Sequence, residues 1–166
     1  MNKTVAEQIV SVGLGEIQVA AEAGTVLMAL GLGSCIGVAV YDPQVRVGGM
    51  AHVVLPEPLD PAAPASPKFA SVAVPELLAR VEALGAERRR LVCKIAGGAQ
   101  VLQTTASRHN FRIGERNIEA VNAALAAAGL APCAQDCGGK TGRSVQLNIL
   151  DGRVAVKRLG RDWESL

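Results

Sequence analysis

Two short apolar runs, residues 36–41 and 49–55, flank the tetrapeptide Asp42-Pro43-Gln44-Val45, and that pattern leaves few folds open. Aspartate at the first position and proline at the second have type I turn chemistry, because the carboxylate bonds nearby backbone and the ring pre-sets φ. The two runs therefore read as strands of one antiparallel hairpin, closed at its far end by Pro56. With the turn centred on Pro43 and Gln44, Cys35 falls directly across from His52 on one face of the sheet, with Cβ atoms roughly 4.5–5.5 Å apart. A one-residue slip would make the pair diagonal, still within side-chain reach. A thiol beside an imidazole is the smallest unit able to run nucleophilic acyl chemistry, since the ring takes the proton and leaves a thiolate. The bland alternative is that both are ordinary buried strand residues.

Glycines before the cysteine sharpen the first reading. Gly31 and Gly33 permit a tight turn and close approach of a ligand to the backbone. Free N–H groups in such a turn hold an anion, either a thiolate or the oxyanion of a tetrahedral intermediate, with Gly33 and Ser34 in the supporting loop. The same glycines do not make a dinucleotide fingerprint, because the spacing to Gly37 is too long and a strand follows. Gly139-Lys140-Thr141 resembles the end of a phosphate-binding loop, but Ala134 stands where the leading glycine is required.

These motifs resemble the CheD family of chemoreceptor glutamine deamidases. The likeness runs through Leu30-Gly-Leu-Gly-Ser-Cys35, Tyr41-Asp-Pro43, and Gly49-Met-Ala-His-Val-Val-Leu-Pro56. It continues in Lys94-Ile-Ala-Gly-Gly-Ala99, Ile113-Gly-Glu-Arg-Asn117, Gly138-Gly139 and Gly142-Arg-Ser-Val145, covering nearly the whole chain in order. The resemblance implies that Cys35 is the nucleophile and His52 its base. It implies a third catalytic residue, a threonine, at the position occupied here by Ala29. Alanine cannot bond an imidazole, so orientation of His52 comes from elsewhere, such as a backbone carbonyl, or activity is reduced. The substrates implied are glutamines of methyl-accepting chemotaxis receptors, with a CheC-type phosphatase as a further partner. A CheD-like module that binds receptors or the phosphatase without catalysis is the alternative, and a cysteine peptidase or transglutaminase-like transferase would use the same dyad. The chemistry requires no metal or organic cofactor.

A chain of 166 residues is the size of one domain, and no interdomain linker or repeat divides residues 1–166. Only Tyr41, Phe69, Phe111 and Trp163 are aromatic, so the core is built from Val, Leu, Ile and Ala, and few platforms exist for stacking nucleic-acid bases. A net charge of +2 gives no nucleic-acid signature either, although Arg153, Lys157, Arg158 and Arg161 thicken the positive charge near the end. Cysteines 35, 93, 133 and 137 have no disulfide-framework spacing. Cys133 and Cys137 lack the second pair a zinc site needs, and Cys93 alternates with Leu91 and Ile95 as a small core residue. Glu7 and Glu16 break any early apolar run a signal peptide would use, and four glycines break the uncharged stretch 23–41, so membrane insertion is not expected. A reducing, cytoplasmic setting fits.

Further along, strands are expected at 16–21 and 25–30, 90–96, 131–135, 143–150 and 153–157, the last two joined by an Asp151-Gly152 turn. Residues 56–67 are rich in proline and alanine, either a rim of the site or a surface connection. Val74, Leu77, Leu78, Val81 and Leu84 have helical spacing, with Pro75 placed in the first turn and Gly85 at the C-terminal end. A second helix spans about 115–128, burying Ile118, Val121 and Leu125. Gly97-Gly98-Ala99 is a tight turn or docking loop, and His109 lies in a polar loop. Many strands, two main helices and short hairpins indicate an α+β domain with mainly antiparallel sheets. The family resemblance implies a three-layer α/β/β sandwich, with the helices on one face of two packed sheets.

Overall fold

The structure is a computed structural model that describes residues 7–101 and 112–166. The polar loop holding His109 falls outside the described residues. Among the described residues, ten strands form two five-stranded sheets, and two α-helices cover one of them. The strands are β1 (Gln8–Ser11), β2 (Ile17–Ala20), β3 (Thr25–Leu32), β4 (Ile36–Asp42), β5 (Val47–Val53), β6 (Val92–Gly97), β7 (Ala134–Cys137), β8 (Arg143–Asn148), β9 (Val154–Arg158) and β10 (Glu164–Ser165). The first sheet has the order β1-β3-β8-β9-β10 and the second β2-β5-β4-β6-β7. Pairing is antiparallel except for β1 with β3 and β6 with β7. Helices α1 (Ala70–Ala83) and α2 (Ile113–Ala127) lie on the second sheet. The α+β sandwich of three layers expected from the sequence is the fold observed.

Two apolar layers hold this arrangement. Between helices and sheet, Val74, Leu77, Leu78 and Val81 of α1 meet Val38, Val40 and Ile95, all buried. Between the sheets, Leu27, Ala29, Ala39, Met50, Val145 and Leu147 interlock. Each fully buried leucine there contributes about 1.5–3 kcal/mol. Alternation along β4 feeds both layers, with Val38 and Val40 facing the helices and Ala39 and Tyr41 facing the other sheet.

β1 and β10 have no counterpart in the sequence reading, several ends shift by a few residues, and four boundaries depart from it for identifiable reasons. The β4–β5 hairpin pairs Asp42 with Val47, so its loop is the four residues 43–46 rather than two. Asp42 Oδ1 accepts the Gln44 N–H at 3.0 Å, and Arg46 takes φ 54° to close the loop. A non-glycine residue in the left-handed region carries no sequence signal of its own. Helix α1 begins at Ala70, placing Pro75 inside it rather than in its first turn. The bond proline cannot donate would have gone to Ser71, and both residues are exposed. β7 starts only at Ala134, after Pro132, which has no N–H to give the sheet. The β8–β9 turn opens at Asn148, whose side-chain oxygen accepts the Leu150 N–H and whose carbonyl accepts the Gly152 N–H, so Asp151-Gly152 is only its second half.

Candidate active site

The hairpin register places Gly37, not Cys35, opposite His52. The offset from the expected register is two residues, and a shift of two leaves every side chain on its original face. Cys35 lies just before β4, diagonal to His52, a relation in which the backbones of paired strands are roughly 7–8 Å apart. Cys35 is half-buried and packs against the inter-sheet layer. His52 follows Met50 on the same face of β5 and is only 2 % exposed. Gly37 lets the other sheet approach closely at this point: a Cβ there would sit 2.6 Å from Val145 Cγ1.

His52 is held from the backbone. Its Nδ1 lies 3.0 Å from the carbonyl oxygen of Val12, in the segment joining β1 and β2. An oxygen there can only accept, so Nδ1 carries a proton, and in the neutral ring Nε2 is the nitrogen with the free lone pair. Nε2 is buried and has no hydrogen-bond partner among the described residues. A buried ring nitrogen left unpartnered is uncommon. The main chain of His52 is clamped as well, its N–H donating to Glu16 and its carbonyl accepting from Gly15, each at 3.0 Å.

Ala29 is fully buried in the same inter-sheet layer, paired with Val145 on β8. It offers the imidazole nothing polar. The group that holds the imidazole is the carbonyl of Val12.

The cysteine loop is tied down by three successive carbonyls. Gly33 accepts from Ala99 N–H at 2.8 Å, Ser34 from Asn117 Nδ2 at 2.9 Å, and Cys35 from Gly98 N–H at 2.9 Å. In a trans peptide the C=O and the following N–H point opposite ways. Pulling the Ser34 carbonyl toward α2 thus turns the Cys35 N–H away from that helix. Burial pushes the Cys35 thiol up from its ordinary value, and this N–H pulls it partly back. The resting group is a thiol that needs a base. Cys93, deeper in the core, is pushed up to about 12 by burial and by the neighbouring Cys133, and Cys137 to about 11, chiefly by burial. Both belong to the layer between helices and sheet, whereas Cys35 packs against the inter-sheet layer.

Asn117, in the sequence reading only part of a motif, ties the cysteine loop to the rest of the site. It is fully buried on α2, and its second Nδ2 bond, also 2.9 Å, goes to Val54 O. One amide therefore joins the loop of Cys35 to the end of the strand that carries His52. A polar, weakly helix-forming asparagine among apolar helix positions was the available signal. The approach of α2 depends on Gly114, where a Cβ would lie 2.4 Å from Gly98 O. Gly97 adopts φ 125°, and a Cβ on it would lie 2.0 Å from Cys35 O. The Gly97-Gly98-Ala99 turn is thus the floor under the cysteine loop.

The distal glycines and Arg143 sit beside this floor. Gly138 N–H donates to Gly97 O and Gln100 N–H to Gly139 O, both at 2.9 Å. Arg143, 5 % exposed, donates to Asp136 Oδ1 at 2.5 Å and to the carbonyls of Asp136, Gly138 and Thr141. The proline-rich segment leaves β5 and returns where Val54 and Leu55 both donate to Lys68 O at 2.9 Å.

A half-buried thiol and, on the neighbouring strand, an imidazole with one nitrogen committed to a carbonyl are the two groups that nucleophilic acyl chemistry uses. Comparison with known proteins gives the family. A family profile described as CheD chemotactic sensory transduction matches residues 54–158. A protein of Symbiobacterium thermophilum, named a probable chemoreceptor glutamine deamidase CheD, is 46 % identical over 94 % of this chain and 96 % of its own length. One from Archaeoglobus fulgidus with the same name is 44 % identical over 92 % of this chain and 96 % of its own. A third, a probable chemoreceptor glutamine deamidase CheD 2 of Geobacter metallireducens, is 40 % identical over 96 % of this chain and 99 % of its own. The chain belongs to the CheD family. Among the described residues, no helix is long and apolar enough to cross a membrane.

Proposed function

We propose that this protein is a protein-glutamine deamidase acting on chemotaxis receptors, with Cys35 as nucleophile and His52 as general base and acid. The observation that carries the reading is the His52 ring, anchored through Nδ1 to Val12 O with Nε2 buried and free. Nε2 takes the Cys35 proton as the sulfur attacks the glutamine carboxamide carbon. Contacts of this kind are often long before substrate arrives and tighten in the complex. The oxyanion that forms is met by the Cys35 N–H in the Gly33-Ser34 loop. The imidazolium then returns its proton to the departing nitrogen, ammonia leaves, and a thioester remains. Water, deprotonated by Nε2, adds to the thioester; the sulfur leaves and recovers its proton, and the side chain is now glutamate.

The names of the relatives support receptors as substrates, and a CheC-type phosphatase is a further partner. Intact mass and peptide mapping of a receptor cytoplasmic fragment test the reading. Deamidation adds roughly one dalton per glutamine with neither cleavage nor cross-link, as acyl transfer to water requires. Cleavage or cross-linking would point to a peptidase or transglutaminase. A fragment that binds and keeps its mass would make the protein a receptor-binding module.

A further inference from the structure

A cleft of about 520 Å³ opens beside the cysteine loop, and the chemistry described so far does not use it. Gly31, four residues before Cys35, forms part of its wall, and Ser144 Oγ accepts the Gly31 N–H at 3.2 Å. Val101 is another part of the wall, with Cγ2 3.5 Å from where a Cβ on Gly33 would lie. The cleft therefore begins at the loop that presents the thiol.

Its charge has one sign. Lys140, Arg143, Lys157 and Arg158 line it, and no aspartate or glutamate does among the described residues. Asp136 is shared, Oδ1 by Arg143 and Oδ2 by Arg158, and Glu164 lies 3.6 Å from Arg158. Two carboxylates thus serve the two arginines. Lys140 and Lys157 are exposed and have no acidic partner among the described residues. The Nε of buried Arg143 is also without a hydrogen-bond partner among them. Beside these cations stand two exposed apolar side chains, Leu159 at 93 % and Val101 at 53 %. Cations flanked by apolar groups complement an acidic amphipathic segment better than a small free anion, which would leave the apolar wall wet.

We propose that this cleft receives the acidic side chains of the protein segment carrying the target glutamine, so that Lys140 and Lys157 select substrates with carboxylates near the reacting residue. The proposal rests on the deamidase reading for its substrate, but its test does not depend on turnover. Binding is measured by fluorescence anisotropy on Cys35→Ala protein, using a glutamine-bearing helical peptide with glutamate flanks and a counterpart with alanines in their place. The Lys140→Ala/Lys157→Ala pair should weaken the acidic peptide roughly 3- to 10-fold, as expected for two exposed charge pairs, and leave the alanine peptide unchanged. Added salt should shrink the difference between the peptides. In protein retaining Cys35, the double variant should raise KM on the acidic peptide with kcat and the iodoacetamide alkylation rate of Cys35 unchanged. Equal loss for both peptides, no loss for either, or the same loss for a DNA oligonucleotide would overturn the proposal. Selective binding without deamidation would leave the cleft standing and remove the enzymatic reading. Deamidation with no response to the lysine changes would do the reverse.

Discussion

Asn117 Nδ2 donates to the carbonyl of Ser34 at 2.9 Å, and through that one peptide plane a helix sets the direction of the Cys35 N–H. The same amide holds Val54, two residues after His52. Asn117→Ala should release both carbonyls and lower kcat roughly 10²-fold with little change in KM, the scale for losing one aligned oxyanion donor. Asn117→Asp, equal in size but without the donors, should behave alike. Melting will show a loss of about 1–3 kcal/mol from the unpartnered carbonyls. A variant with reduced stability but full kcat would show that Asn117 is only a structural tie.

The dyad separates chemistry from packing. Cys35→Ala should abolish deamidation while the melting temperature holds, because a half-buried thiol contributes little to the core. Cys93→Ala should do the opposite, costing stability and leaving the rate intact, since Cys93 is 1 % exposed. His52→Ala should depress turnover roughly 10²–10⁴-fold. Receptor-fragment binding, measured alongside, should change far less; if binding and turnover vanish together, His52 is structural.

Ala29 tests whether the Val12 carbonyl is sufficient. With Nδ1 already bonded there, a hydroxyl at position 29 has no vacant role. The residue is fully buried against Val145, so Ala29→Thr adds atoms to a filled layer. Stability should fall by about 1–3 kcal/mol and the rate should not rise. A faster enzyme with unchanged substrate affinity would show that the ring is incompletely oriented in the wild type.

Acid should act on the hairpin rather than on the site. Arg90 pairs with the fully buried Asp42 carboxylate, which also accepts the Glu87 and Gln44 N–H groups. The Arg90 bonds, with those backbone donors, lower Asp42 from 3.8 to about 2. A depressed carboxylate stabilises the fold fully above its unfolded value, and that contribution is lost as pH falls through the folded one. Urea unfolding should therefore show this contribution declining between pH 3.8 and about 2. Asp42→Ala should lose about 3 kcal/mol near neutral pH and show less decline over that interval. Identical pH profiles for the two proteins would exclude Asp42 as the source.

Much of the site was legible because it rests on local chemistry. Turn residues and alternating apolar runs are short-range signals, so the hairpin bearing Cys35 and His52 could be drawn from them. The glycine-rich approach to the thiol was equally plain, for only glycine allows such close backbone. The loop length was not legible. It depends on Asp42 being drawn to Arg90, Glu87 and Gln44, and two of these are more than forty residues away. The face survived that error only because the slip was even.

The sequence by itself determined the kind of layers, the faces on which Cys35 and His52 lie, and the family to which the motifs belong. Each follows from the period of a strand, the conformational needs of glycine and proline, or a string of residues read in order. Only the tertiary structure decided that Val12 holds the imidazole, that Asn117 holds the cysteine loop, and that four cations gather beside Gly31. Those relations join segments distant along the chain, and two of them use backbone carbonyls, which every residue possesses. No residue identity announces which carbonyl will be met; the packing of the sheets and of α2 makes the choice.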